Sequence, residues 1–181
     1  MGGDAQRFEI RRRHTGDLPA CVEVLAEVHA SDGYPVAWPA DPAGWLLESE
    51  QLACWVAVSR DSGEIVGHVA LNRGSGSSAG EVWAERAEGR APDGAGAVSR
   101  LYVAPSAMGV GLGERLLATA VAQARTWRLH PVLDVVAGHG GALRLYQRLG
   151  WELLLTVSRT WPNGMTVDVH CFELAAAGGT A

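Results

Sequence analysis

Not one residue of the chain is lysine: all 15 basic side chains among its 181 residues are arginine. Two chemistries fall away with that absence. A Walker-type phosphate loop needs a lysine to reach the terminal phosphates, and a Schiff-base enzyme needs one to form its imine. Cysteine is scarce as well. Cys21, Cys54 and Cys171 are scattered, odd in number and free of any CxxC spacing, which reads as small buried hydrophobes rather than a disulfide framework. The histidines form no HExxH pattern, so no metal is expected. No apolar run approaches the roughly 20 residues of a membrane span, and residues 1–7 lack the apolar stretch of a secretory leader. A cytoplasmic protein with no membrane partner is the expectation. Basic surplus is missing too: the net charge is -5, which speaks against nucleic acid as a partner.

What is present is an ordinary globular composition, 48% hydrophobic and 19% charged, of a length that makes one domain. We expect that domain over residues 7–174, between a disordered 1–6 and a disordered tail at 175–181. Phe8 to His14 has strand character, and Thr15-Gly16-Asp17 offers a turn and an N-cap. Leu18, Cys21, Val22, Leu25 and Val28 recur at helical spacing over 18–30. A short second helix is expected around 44–49. Two strand-like runs, 53–58 and 65–71, flank the hairpin signal Asp61-Ser62-Gly63. Residues 73–96, rich in Gly, Ser and Ala, read as a long loop with a helical turn near Val82-Trp83-Ala84.

The second half alternates. A strand over 97–103 precedes a helix over 112–128, whose Leu112, Leu116, Leu117, Ala120, Val121 and Ala124 share a face. Residues 131–137 form a nearly continuous apolar strand, expected to be buried. A short helix carries Ala142, Leu145, Tyr146 and Leu149, with Gly150 at its C′ position. Two strands, 151–157 and 165–174, close the chain around the turn residues Pro162-Asn163-Gly164.

The chemistry concentrates at Ala104-Pro105-Ser106-Ala107-Met108-Gly109-Val110-Gly111-Leu112-Gly113-Glu114, where a strand meets a helix through three alternate glycines. Glycine allows unusual dihedrals and close approach of a ligand to the backbone. Free amides at a helix start, with the positive end of its dipole, attract an anion. A dinucleotide fingerprint fails on spacing: the sixth residue from Gly109 is Glu114, and from Gly111 it is Leu116.

This segment resembles the GNAT superfamily of acetyl-CoA-dependent N-acetyltransferases, whose signature is a strand, a proline, then (Gln/Arg)-x-x-Gly-x-(Gly/Ala) opening a helix. Ala142-Leu143-Arg144-Leu145-Tyr146-Gln147-Arg148-Leu149-Gly150-Trp151 is similar to that family's Ala-x-x-x-Tyr-x-x-x-Gly-aromatic block. Order and spacing agree over roughly 8–174. The resemblance implies a single α/β (α+β) domain. Its mixed, mostly antiparallel sheet would splay at the middle and be flanked by about four helices. It implies acetyl-CoA as co-substrate, with backbone groups of Leu101, Tyr102 and Val103 toward the pantetheine and acetyl carbonyl. The stretch Met108, Gly109, Val110, Gly111, Leu112, Gly113 and Glu114 would wrap the pyrophosphate. His139 falls where the family often has an Asn that contacts the coenzyme. Met108 and Val110 depart from the family's basic residues, and Arg115, Arg144 or Arg148 are the nearby replacements.

The activity implied is acetyl transfer to a primary amine of a small molecule or peptide by direct attack. Tyr146 matches the family's general acid near the coenzyme sulfur; a plain core tyrosine is the alternative. No base stands out. Asp134, inside an apolar strand, is the catalytic candidate, with His68, Glu81, Glu85 and a water chain beside it. Tyr34 and Trp38, with Pro35 and Trp45, lie where the family walls its acceptor pocket. A non-catalytic acyl-CoA-binding module, a longer acyl donor such as succinyl-CoA, and a homodimer all stay open.

Overall fold

The computed structural model describes residues 7–47, 50–138, 140–161 and 164–175. The expected disorder at 1–6 and 176–181, the contact expected of His139, and the turn residues Pro162 and Asn163 lie outside the described residues. Seven strands run in the order β1-β2-β3-β4-β5-β7-β6, a mixed and mostly antiparallel sheet. Five α-helices accompany it among the described residues, an α/β fold. The chain divides into two compact units, residues 1–71 with 99–122, and residues 72–98 with 123–181.

In the first unit, β1 (Phe8–Arg12) pairs antiparallel with β2 (Gln51–Ser59), from Phe8↔Ser59 to Arg12↔Trp55. Helix α1 (Leu18–Asp32) buries Cys21, Val24, Leu25 and Val28. Cys21, Leu25 and Val28 of the predicted stripe are among them, while Leu18 and Val22 are only half-buried and Val24 joins instead. Its end is set by Gly33, left-handed at φ 76, whose N–H reaches the His29 carbonyl at 3.0 Å. Helix α2 (Pro42–Leu46) starts two residues earlier than expected, because Asp41 accepts a hydrogen bond from the Gly44 N–H and Pro42 fits the first turn. The hairpin from β2 to β3 (Ile65–Arg73) turns on Gly63, at φ 76. Along β3, Val66 through Leu71 are all buried.

The second unit corrects the long loop expected at 73–96. β3 runs on to Arg73, and an eight-residue helix α3 (Ser78–Glu85) follows before β4 (Ala95–Val103) begins. Ser77 caps α3 by accepting from the Gly80 N–H at 3.0 Å. Val82 and Trp83 are buried with Ala79, Ala95, Ala97, Val132 and Cys171, a packing that outweighs the weak helix propensity of Ser and Gly. The parallel ladder between β4 and β5 (His130–Val136) spans four pairs, Ala95↔His130 to Val98↔Leu133. β5 pairs antiparallel with β7 (Thr166–Glu173), which pairs antiparallel with β6 (Glu152–Thr160) around a bulge between Leu153 and Leu155.

Helix α4 (Leu112–Thr126) buries all six residues of its predicted face. Helix α5 (Gly140–Arg148) ends in a Schellman motif. Gly150 is left-handed at φ 82, its N–H meets the Gln147 carbonyl at 3.1 Å, and the Trp151 N–H meets the Tyr146 carbonyl at 3.0 Å.

Candidate functional site

The glycine turn lies in the first unit, between the end of β4 and the start of α4. Gly109 (φ 81) and Gly111 (φ 75) are left-handed, and a Cβ at either would meet no atom within 4 Å. The turn therefore needs glycine for its dihedrals, and the space beside it is open. Gly113 is different: its φ is ordinary and a Cβ there would only touch Val103 Cγ2 at 3.8 Å. The amides at the start of α4 face back toward this turn, and the Arg115 N–H reaches the Gly111 carbonyl (3.1 Å). Open space, left-handed backbone and a helix start together suit a phosphate held by amides. Met108, 48% exposed, offers no charge there. Arg115 does not replace it directly, since its Nη2 donates to the Phe8 carbonyl at 3.1 Å.

The end of β4 is held by a polar cluster. Arg100 has φ 51, a left-handed conformation rare for a residue with a Cβ and costing about 1–2 kcal/mol. Its guanidinium carbon sits 3.7 Å from the centre of the Trp45 ring, and its Nε donates to the Trp45 carbonyl at 3.0 Å. His68, fully buried on β3, reaches the Arg100 carbonyl with Nδ1 at 3.0 Å and Arg13 Nη1 with Nε2 at 3.1 Å. Arginine can only donate, so Nε2 accepts and Nδ1 carries the proton. Burial, helped by the charges of Arg13 and Arg100, pushes the imidazole pKa down to about 4, against the pull of the Arg100 carbonyl. His68 is thus neutral with both nitrogens engaged, which removes it from the candidate bases.

Tyr102 stacks on His68 with ring centres 5.3 Å apart, and its hydroxyl donates to the Cys21 carbonyl at 2.9 Å. Its ring and hydroxyl are thus both engaged within the fold. Leu101 and Val103 flank it half-buried. Tyr34 lies 6.2 Å from Trp45 and 6.4 Å from Tyr102, ring centre to ring centre. Trp38 pairs instead with His29 at 5.2 Å and is 40% exposed. The structure thus gathers Tyr34 with the β4 cluster and pairs Trp38 with His29 on α1.

In the second unit, Tyr146 packs against Trp151 (6.2 Å) and Phe172 (6.0 Å). Burial pushes its phenol up to about 12, so it is protonated at neutral pH. Among the described residues none hydrogen-bonds its hydroxyl. Asp134 caps α3: Oδ1 accepts from the Ala79 N–H at 2.6 Å and Oδ2 from the Ser78 N–H at 3.0 Å. Its outer surface meets solvent, yet the packing around the carboxyl pushes it up to about 6, opposed by those two amides and by Arg159. Glu81 is paired with Arg159 at 2.6 Å. Among the described residues no group of three or more His, Cys, Asp or Glu could hold a metal, and no helix is long and apolar enough to cross a membrane.

No local signal marks Arg13 or Arg100 in the sequence. An arginine carries no preference for a left-handed strand position, and the contact of Arg13 with His68 joins residues 55 apart.

The comparisons agree with this fold. The family model described as Acetyltransferase (GNAT) family matches residues 20–151, more than half of the chain. The chain belongs to the GNAT acetyltransferase family. Solved structures share its fold at low identity. Arabidopsis thaliana NAA60 in complex with acetyl-CoA is 19% identical with a TM-score of 0.67, over 92% of this chain and 98% of that one. A GCN5-related N-acetyltransferase from Kribbella flavida is 19% identical with a TM-score of 0.64, over 93% and 98%. The ribosomal-protein-S18-alanine N-acetyltransferase of Escherichia coli is 16% identical with a TM-score of 0.64, over 96% and 98%. Curated proteins yield no match.

Proposed function

We propose that this acetyltransferase-family chain moves the acetyl group of acetyl-CoA onto a primary amine of a small molecule or peptide by direct attack. The observation that carries the reading is the turn at Gly109 and Gly111, left-handed, open to a ligand and feeding α4 directly from β4. Backbone amides from Gly109 to Glu114 hold the pyrophosphate, and the backbone of Leu101–Val103 holds the pantetheine and acetyl carbonyl. The NAA60 neighbour with acetyl-CoA supports the donor.

Acetyl-CoA supplies an acyl group activated as a thioester. An ordinary primary ammonium, with a pKa of about 10.4, costs about 4–5 kcal/mol to deprotonate at pH 7. We assign that step to water rather than to Asp134, whose two oxygens are occupied by α3. As the carbon–nitrogen bond forms and the carbon–sulfur bond breaks, the sulfur leaves with the bonding electrons, and the acylated nitrogen gives its surplus proton to water. Tyr146 gives it the phenolic proton and is restored from solvent. A phenol kept protonated at neutral pH is suited to that donation. Tyr34 is the acceptor-side ring that best fits the reading.

Exposed Met108, where the family carries a basic residue, favours a second reading: a non-catalytic acyl-CoA-binding module. One experiment separates the two. Acetyl-CoA at about a hundred times Kd is expected to raise Tm by roughly 5–10 °C, and NADH to leave it unchanged. A panel of amines is then screened for thiol release. Binding with no release from any amine supports the module; equal response to both nucleotides, or to neither, refutes the coenzyme assignment.

A further inference from the structure

We propose that His68, braced by Arg13, is a positioning residue: its Nδ1–H holds the carbonyl of left-handed Arg100 and thereby sets the direction of the Leu101–Val103 backbone. The inference rests on the reading above, in which that backbone receives the acetyl end of the coenzyme.

A left-handed residue inside a strand interrupts the pleat and re-aims the residues after it, and such a conformation persists only where its surroundings hold it. Here every neighbour does. The Arg100 side chain is fixed on Trp45 by ring contact and by the Nε bond, while its carbonyl is fixed from the other side by His68. His68 cannot turn over, because Arg13 occupies Nε2. Arg13 is itself anchored: its Nη1 also reaches the Leu46 carbonyl and its Nη2 reaches Gln51 Oε1, each at 3.1 Å. Gln51 Nε2 closes the ring of contacts on the same Leu46 carbonyl at 3.1 Å. The residue before His68 matters as well. A Cβ on Gly67 would come within 3.1 Å of the Tyr102 carbonyl oxygen, so β3 passes close to the re-aimed segment at two consecutive residues and only glycine leaves that room. Beyond it, the Ala104 N–H rejoins β3 at the Val66 carbonyl, 2.8 Å away. Left-handed Arg100 and this bond bracket Leu101–Val103, the stretch assigned to the acetyl end of the coenzyme.

The test compares two neutral replacements. Asn places its amide nitrogen near the position of imidazole Nδ1, whereas Gln carries its amide out toward that of Nε2. His68→Asn is expected to keep turnover within about three-fold of wild type, and His68→Gln to lose about 10- to 100-fold at saturating acetyl-CoA. Backbone chemical shifts of residues 99–103, recorded without coenzyme, are expected to show Arg100 leaving the left-handed region only in His68→Gln. Equal turnover in the two variants overturns the proposal. So does an Arg100 that stays left-handed in His68→Gln. Where His68→Gln fails to fold, His68→Ala removes the Nδ1 donor without adding bulk, and an Arg100 that stays left-handed there overturns the proposal. The chemical shifts need no coenzyme, whereas failure of wild type to bind acetyl-CoA counts against the functional reading instead.

Discussion

Two glycines of one turn are expected to answer the same substitution in opposite directions. At Gly111 the backbone is left-handed (φ 75) and a Cβ would meet nothing within 4 Å, so alanine brings no clash and only conformational strain. That strain is about 1–2 kcal/mol, offset by roughly 0.4–1 kcal/mol because alanine stiffens the unfolded chain. The net loss is about 0.5–1.5 kcal/mol, or roughly 1–6 °C in Tm for a chain of this size. Gly113 is the second residue of α4 with an ordinary dihedral, and its Cβ would sit at 3.8 Å from Val103 Cγ2, in normal contact. Alanine there improves helix propensity by up to about 1 kcal/mol, so Tm holds or rises. Differential scanning calorimetry of both variants without coenzyme reads the contrast, and titration with acetyl-CoA reads whether Gly111→Ala also weakens binding. A Gly111→Ala protein as stable as wild type, or a Gly113→Ala protein destabilised to the same degree, would falsify the account of the turn.

Two further outcomes are expected. Tyr146→Phe keeps the ring against Trp151 and Phe172 and removes only the hydroxyl, so Tm and acetyl-CoA affinity change little while turnover falls about 10²- to 10⁴-fold; near-normal turnover with a working acceptor removes Tyr146 from the mechanism. Asp17 accepts from Arg11 at 2.6 and 2.9 Å and from the His14 N–H at 2.7 Å, and these bonds, that of Arg11 first, lower its carboxyl to about 2. A lowered carboxyl stabilises the fold above its unfolded value near 3.8 and loses that contribution as pH falls through about 2. Asp17→Asn is therefore expected to cost about 2 kcal/mol at pH 7, shrinking toward pH 2 in denaturant titrations, and a gap independent of pH contradicts this.

Much of the fold was legible because its signals are local. The apolar stripe of α4 and the Gly150 cap of α5 each lie within a few residues, and both stand where the sequence put them. α2 was misplaced although Asp41-Pro42 carried its start signal. α3 was read only as a turn near Val82-Trp83-Ala84 because Ser, Gly and Ala blur the helical period, and Ser77 three residues before Gly80 was the mark of its true start. Of the site, the glycine turn was readable because two left-handed positions demand glycine. The Arg13–His68–Arg100 chain was not, since its bonds join residues 32 and 55 apart and no residue type announces them. Asp134 was expected as a catalyst from its place in an apolar strand, and the structure gives that carboxylate to the start of α3.

The cap of α5 ties two jobs to one neighbour. Trp151 holds Tyr146 twice, once by its amide on the Tyr146 carbonyl and once by its ring against the phenol. A tyrosine held at both ends has little rotational freedom left to lose when a reaction demands one orientation of its oxygen. Much of the ordering entropy has then been met during folding. Under the role proposed for Tyr146, drift at Gly150 or Trp151 would surface as slower turnover before it surfaced as a weaker fold.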